Sequence, residues 1–266
     1  MKLHGLIIDP QQDFCNAQTG ALYVGGAEQD MARLAAMIRR IAPKITDLHV
    51  TLDSHHFVDV AHPIWWKDSA GKHPEPFTII TLADLENGKW TTTQPGMYRR
   101  SREYVEQLEA NGRYPLCIWP PHCLIGSPGH AVVPELFDAL KGWENQRFAV
   151  VDYVTKGSNI WTEHYSAVVA DVPDPTDPST QINTRLIQTL TEADLIFVAG
   201  EAGSHCLANT VRDIANNFGD DRYVSKLVLL TDATSPVTGF EAYQEDFIAE
   251  MTGRGMKTAT TTDFLM

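Results

Sequence analysis

"LIFVAGEAGSHCLANTVRDIANN", residues 195–217, is an apolar β-type run that passes through a glycine-containing turn into a helical pattern. The run 195–200 reads as a buried strand. Leu207, Val211, Ile214 and Phe218 share one face of a helix predicted over about 204–217. Cys206 therefore sits where the strand gives way to the helix. A helix N-terminus offers unpaired N–H groups and partial positive charge, and both favour a thiolate. The position suits a reactive cysteine. The bland alternative is a small buried apolar side chain.

The same alternation extends in both directions. "LHGLIID" (3–9), "DLHVTLD" (47–53), "RFAVVDYVT" (147–155) and "KLVLLTD" (226–232) read as further strands, with "KTATTTDFL" (257–265) supplying a last edge strand. A helix is expected over 27–42, where Met31, Leu34, Ile38 and Ile41 recur at helical spacing. Its acids lie at its start, Arg39 and Arg40 near its end, and Pro43 stops it. Another is expected over 239–252, with Phe240, Tyr243, Phe247 and Met251 inward. Continuous apolar strands alternating with amphipathic helices imply a three-layer α/β/α fold around a mainly parallel, six-stranded sheet.

Two stretches break the pattern. Residues 63–116 are polar and interrupted by prolines, with one helix expected near 100–111. Residues 171–180, "DVPDPTDPST", form a Pro/Asp loop. Neither stretch carries enough apolar residues for its own core, so one domain over 1–266 is expected, with 63–116 as an inserted lid or interface segment.

Composition narrows the function. The chain has 266 residues, 43% of them apolar and 21% charged, and a formal charge of −13. That acidity opposes a nucleic-acid or anionic-membrane partner. Cys15, Cys117, Cys123 and Cys206 form no C-x-x-C pair. No apolar run approaches a membrane span or a signal peptide, so the expected location is the cytoplasm.

In parallel sheets the working site lies beyond the carboxyl ends of the strands. There this sequence places Asp9, Asp53 with His55, Lys156 and Cys206. Taken singly, each has a bland reading: a turn cap, a solvated lysine, a buried thiol. Together they supply a nucleophile, a cation to steady its anion and a proton acceptor. Asp232 ends a fifth strand and reads as a turn residue. Asp53, His55 and His122, with His62 as a fourth candidate, are ligand types for zinc or another first-row divalent metal. His56 points away if the segment is extended.

Five motifs in order resemble the isochorismatase-like cysteine hydrolase superfamily, and within it the nicotinamidase-related amidases. They are "IIDPQQDFC", "LDSHH", "WPPHCLIGSPG", "TKGSN" and "VAGEAGSHCLANT". The resemblance covers about residues 3–62, 116–170 and 180–262. It implies Asp9, Lys156 and Cys206 as the catalytic set. It implies an oxyanion site at the N–H groups of Ala202 and Cys206, with a cis peptide at Glu201–Ala202. It further implies a metal on Asp53, His55 and His122, and a substrate ring between Phe14 and Trp119. The expected cofactor is zinc, with iron or manganese as alternatives. The expected partners are a small amide and further copies of the chain.

The sequence also departs from that pattern. "AGSHC" replaces the usual Ala-Thr-Asp-x-Cys loop, and Glu163 and His164 stand in "IWTEHYSA". The insertion carries Trp65, Trp66, Arg99, Arg100 and Arg102, candidates for a lid, an exposed contact or an anion clamp. Ureidoacrylate or carbamoyl-amine hydrolysis, hydrolysis by a metal-bound hydroxide, and a non-catalytic binding role stay open at this point.

Overall fold

A computed structural model describes residues 1–266. Its central sheet is six-stranded and parallel throughout. The strands are β1 (Leu3–Ile8), β2 (Asp47–Asp53), β3 (Asp152–Lys156), β4 (Leu195–Gly200), β5 (Leu227–Leu230) and β6 (Lys257–Ala259), in the spatial order β6-β5-β4-β1-β2-β3. β1 is wholly buried, which is why it reads as an unbroken apolar run.

Helices α1 (Ala27–Ile41), α2 (Tyr98–Asn111), α3 (Pro134–Arg147), α4 (Thr184–Thr191), α5 (Cys206–Asn217) and α6 (Glu241–Gly253) cover the sheet. α1 packs on α3, and α5 on α6. On α1, Met31, Leu34, Ile38 and Ile41 are all buried. Each such side chain contributes about 1.5–3 kcal/mol by leaving water. From β1 the chain steps outward to β2 and β3, then returns to β4 on the other side of β1. The strand order thus reverses between β1 and β4, which opens a crevice at their carboxyl ends.

Two registers matter for the site. Asp53 at the end of β2 lies opposite Lys156 at the end of β3. Ile8 at the end of β1 lies opposite Gly200. At Gly200, φ is +110° and an added Cβ would lie 2.1 Å from the Ile8 carbonyl oxygen, so only glycine fits.

The structure corrects several expectations. β3 begins at Asp152, not at 147, because α3 continues to Arg147 and Phe148 ends it in a left-handed conformation (φ +48°). The structure adds α3, opened by Pro134, and α4, capped by the Asn183 side chain accepting from the Leu186 N–H, neither of which the strand-and-helix pattern anticipated. On α6, Phe247 and Met251 are buried, whereas Tyr243 is 38% exposed.

The 63–116 segment adds α2, a short helix over Leu82–Glu86 and two small antiparallel strand pairs. Its Trp65 and Trp66 are buried and join the main core with Ile80, Leu85, Tyr104, Val105 and Leu108. "PIWW" is therefore not an exposed contact surface. Exposed apolar side chains occur instead beside and on edge strand β3, at Phe148, Val150 and Tyr153. No helix is long and apolar enough to cross a membrane.

Candidate active site

Asp9, Lys156 and Cys206 converge at the crevice between β1 and β4. Lys156 Nζ lies 2.9 Å from Asp9 Oδ2, 3.0 Å from Asp53 Oδ1 and 3.6 Å from Cys206 Sγ. All four residues are buried. Thr51 fixes Asp9 from the next strand: its hydroxyl donates to Asp9 Oδ1 at 2.5 Å and accepts from the Asp9 N–H. Gln11 clamps the end of β2 through both the N–H and the carbonyl of Asp53.

Burial pushes the Cys206 thiol well above its ordinary range, and nearby Lys156 only partly opposes this. This acts against the thiolate that its helix-terminal position favours. Desolvation outweighs the helix dipole and the ammonium. Burial also raises Asp9, against the pull of Lys156. For Lys156 burial acts downward, but Asp53 and Asp9 outweigh it and keep the ammonium charged.

Cys206 is the first residue of α5. Its N–H therefore has no intrahelical partner. The peptide between Glu201 and Ala202 is cis, as expected. The His205 and Leu207 N–H groups both donate to the Ala202 carbonyl, folding the loop back on itself. At Gly203 an added Cβ would lie 2.0 Å from Gln244 Oε1, so a side chain there would force Gln244 to move. Ser204 Oγ accepts from the Val237 N–H at 3.0 Å and meets His205 Nδ1 at 2.8 Å. This accounts for "GSH" in the loop: a bare backbone against Gln244, then a hydroxyl that ties the loop to residue 237.

Beside this cluster, Asp53, His55 and His122 each bring one ligand atom within 4.8 Å of the others. Asp53 Oδ2 lies 3.1 Å from His55 Nε2 and 3.4 Å from His122 Nε2. Burial alone would raise Asp53, but His55 and Lys156 hold its carboxyl well below the usual range. His62 is fully buried next to these rings but outside the three-residue set. Its Nδ1 contacts the Phe57 carbonyl, its Nε2 has no partner, and burial lowers it to about 4. His122 Nδ1 meets the Pro120 carbonyl and His55 Nδ1 meets Asp59. Every imidazole is thus oriented through Nδ1 with Nε2 left as a ligand, the arrangement that supports a metal from behind. The donor set fits a divalent first-row metal. His56 is exposed and takes no part.

The cleft shared by both clusters has about 420 Å³ of empty space, mouth included. Phe14 and Trp119 line it, as expected, together with Leu22, Tyr165, Val237 and Ala202. No residue of 63–116 does. Arg99, Arg100 and Arg102 are paired with Glu103, Asp174 and Glu86 away from the cleft. The segment supports the lining residues from behind: the Tyr114 hydroxyl donates to the Ser204 carbonyl at 3.0 Å and its ring stacks on His205, the Tyr104 hydroxyl accepts from the Glu163 N–H at 3.1 Å, and Phe77 packs edge-on against Trp119. Asp232 binds Thr261 through both carboxylate oxygens, the structural role expected of it.

Sequence reasoning missed Asp59, His205 and the lining role of Glu163 and His164. Burial raises Glu163 to about 8 and lowers His164 to about 3, so both stand neutral at neutral pH. Only the departures at "EH" and "SH" hinted at them.

The architecture matches the isochorismatase-like α/β fold. No protein-family model and no curated protein matches the chain. Solved structures do. The yeast nicotinamidase is 17% identical with a TM-score of 0.65, over 97% of this chain and 99% of its own. An Acinetobacter baumanii nicotinamidase/pyrazinamidase is 20% identical with a TM-score of 0.64, over 99% and 98%. The Pyrococcus horikoshii pyrazinamidase, solved in complex with zinc, is 18% identical with a TM-score of 0.58, over 98% and 99%. At these identities the likeness is one of fold.

Proposed function

We propose that this protein is a cysteine-dependent amidohydrolase acting on a small, nicotinamide-like amide. The observation that carries the reading is the contact of Lys156 with Asp9, Asp53 and Cys206 beside a cleft lined by Phe14, Trp119 and Cys206.

Asp9 takes the Cys206 thiol proton as sulfur attacks the amide carbon. Lys156 stabilises the anionic charge during that transfer. Attack forms the C–S bond and moves the carbonyl electron pair onto oxygen. The N–H groups of Ala202 and Cys206 receive that oxyanion. Asp9 returns the proton to the leaving nitrogen, the C–N bond breaks and ammonia departs. Water then adds to the thioester, with Asp9 again accepting a proton, and the acid and the free thiol are released.

Asp53, His55 and His122, with His62 as a fourth candidate, would hold a divalent metal. The zinc in the Pyrococcus pyrazinamidase supports zinc here. A bound metal supplies a Lewis-acidic anchor for a ring nitrogen. Phe14 and Trp119 flank that ring and exclude water from it.

The test is ammonia release from nicotinamide by metal-replete protein, with the Cys206→Ala protein as blank. Cys206-dependent release supports the reading. Equal release by both proteins removes the nucleophile. No release from nicotinamide or pyrazinamide removes the substrate class.

A further inference from the structure

The loop that presents Ala202 and Cys206 is fastened from behind by a buried carboxyl unrelated to the metal site. Glu201 is 0% exposed. Its backbone N–H donates to the Ile8 carbonyl at 2.8 Å, and its Oε2 accepts from the Ser235 N–H at 3.0 Å. The Ser235 carbonyl in turn accepts from the Gly203 N–H at 2.9 Å, so Ser235 holds the loop on both sides of Ala202. The Ser235 hydroxyl donates to Asp30 Oδ2 on α1 at 2.5 Å, and Arg33 donates to Asp30 Oδ1 at 2.5 Å.

Asp30 pairs with the Arg33 guanidinium, and no cation pairs with Glu201. The Glu201 Oε1 is buried and has no hydrogen-bond partner. Burial without a cation, close to a carboxylate, favours the neutral carboxylic acid. Burial and the charge of Asp30 both raise Glu201, in agreement with the geometry.

We infer that Glu201, fully buried and accepting from the Ser235 N–H, is the positioning residue that aims the Ala202 and Cys206 N–H groups at one point of the cleft. The inference rests on the amidohydrolase reading, because the aim of those groups matters only where an oxyanion forms. It assigns a role to a residue that touches neither substrate nor nucleophile. Small misplacements of such donors are expensive in rate and leave ground-state binding nearly intact.

The test uses the full chain carrying Glu201→Ala, Glu201→Gln or Ser235→Ala. Glutamine keeps an acceptor for the Ser235 N–H. Two quantities are read: kcat and KM on nicotinamide, and the affinity for nicotinaldehyde. The aldehyde reports the same donors without turnover: the thiol sulfur bonds to its carbon, and the thiol proton ends on its oxygen.

Glu201→Ala is expected to lower kcat about 10- to 100-fold with KM within about threefold, and to weaken aldehyde binding in parallel. Glu201→Gln is expected to return kcat to within about threefold of the parent. An alanine variant with unchanged kcat, a loss carried by KM alone, or a glutamine variant as impaired as alanine overturns the inference. If Glu201→Ala does not fold, Ser235→Ala decides: a kcat loss of about two- to tenfold at constant KM supports the role, and unchanged kcat removes it. Parent protein that neither releases ammonia nor binds aldehyde overturns the amidohydrolase reading and this inference with it. An active parent with parent-like variants overturns this inference alone.

Discussion

Asp53 Oδ1 contacts Lys156 Nζ at 3.0 Å, while its Oδ2 faces His55 and His122 at 3.1 and 3.4 Å. One carboxylate therefore joins the nucleophile cluster to the metal-ligand cluster. Asp53→Ala is expected to remove bound metal and to leave Lys156 paired with Asp9 alone. Elemental analysis of purified protein checks the first effect, and unchanged metal content refutes the ligand assignment.

Thiol alkylation separates two chemistries that this bridge could serve. If the metal anchors substrate and Cys206 attacks, both chelation and thiol alkylation stop turnover, and added zinc reverses only the former. If a metal-bound hydroxide attacks, alkylation leaves turnover in place.

Cys206→Ala is expected to lower kcat by at least about 10⁴-fold with the fold intact by circular dichroism. Because burial holds the Cys206 thiol well above the ordinary 9.0, its alkylation by iodoacetamide in the absence of substrate should be slow and still rising at pH 9. A rate already at its plateau at pH 7 would make the thiolate the resting form. Asp9 would then not be needed to take its proton.

His205 gives a stability prediction with a definite sign. Burial lowers its pKa in the folded state from 6.5 to about 4, and the neutral ring stacks on Tyr114 at 5.0 Å between centroids. The unfolded chain protonates this ring as pH falls below 6.5, and the folded chain does not. Its contribution is complete above 6.5 and is lost as pH falls towards 4, on the order of 3 kcal/mol in all. Urea midpoints for parent and His205→Phe should converge or cross in this window, the parent falling more steeply. Equal slopes would contradict the assignment.

Trp65 tests the inserted segment. It is buried, and its indole N–H donates to Ser101 Oγ at 3.0 Å. Trp65→Ala is expected to cost about 3–5 kcal/mol of stability. Since no residue of 63–116 lines the cleft, the ratio of kcat/KM between nicotinamide and pyrazinamide should not change. A changed ratio would restore a lid role for this segment.

The legible part of the site was the part written at strand ends. Asp9, Asp53, Lys156 and Cys206 each follow an apolar run, so period and position sufficed to nominate them. Phe14 and Trp119 came from motif resemblance and His122 from its ligand chemistry, and the cleft contains all three. Asp59 looked like an ordinary loop acid, because its value lies in facing His55 Nδ1, which no local pattern encodes. The "PIWW" segment read as exposed because its neighbours are polar. Contact with the main core buries it.

By itself, the sequence determined the alternation of strand and helix, the chemistry at the strand ends and the cysteine at a helix start. These are local properties, set by side-chain period and by turn residues within a few positions. Only the tertiary structure decided that Lys156 would meet Asp53 across 103 residues, and Asp30 would meet Ser235 across 205. It also decided that Cys206 would be buried, which pushes its thiol upward. Those outcomes depend on which strands become neighbours and how completely water is excluded between them, and both are settled by the packed whole.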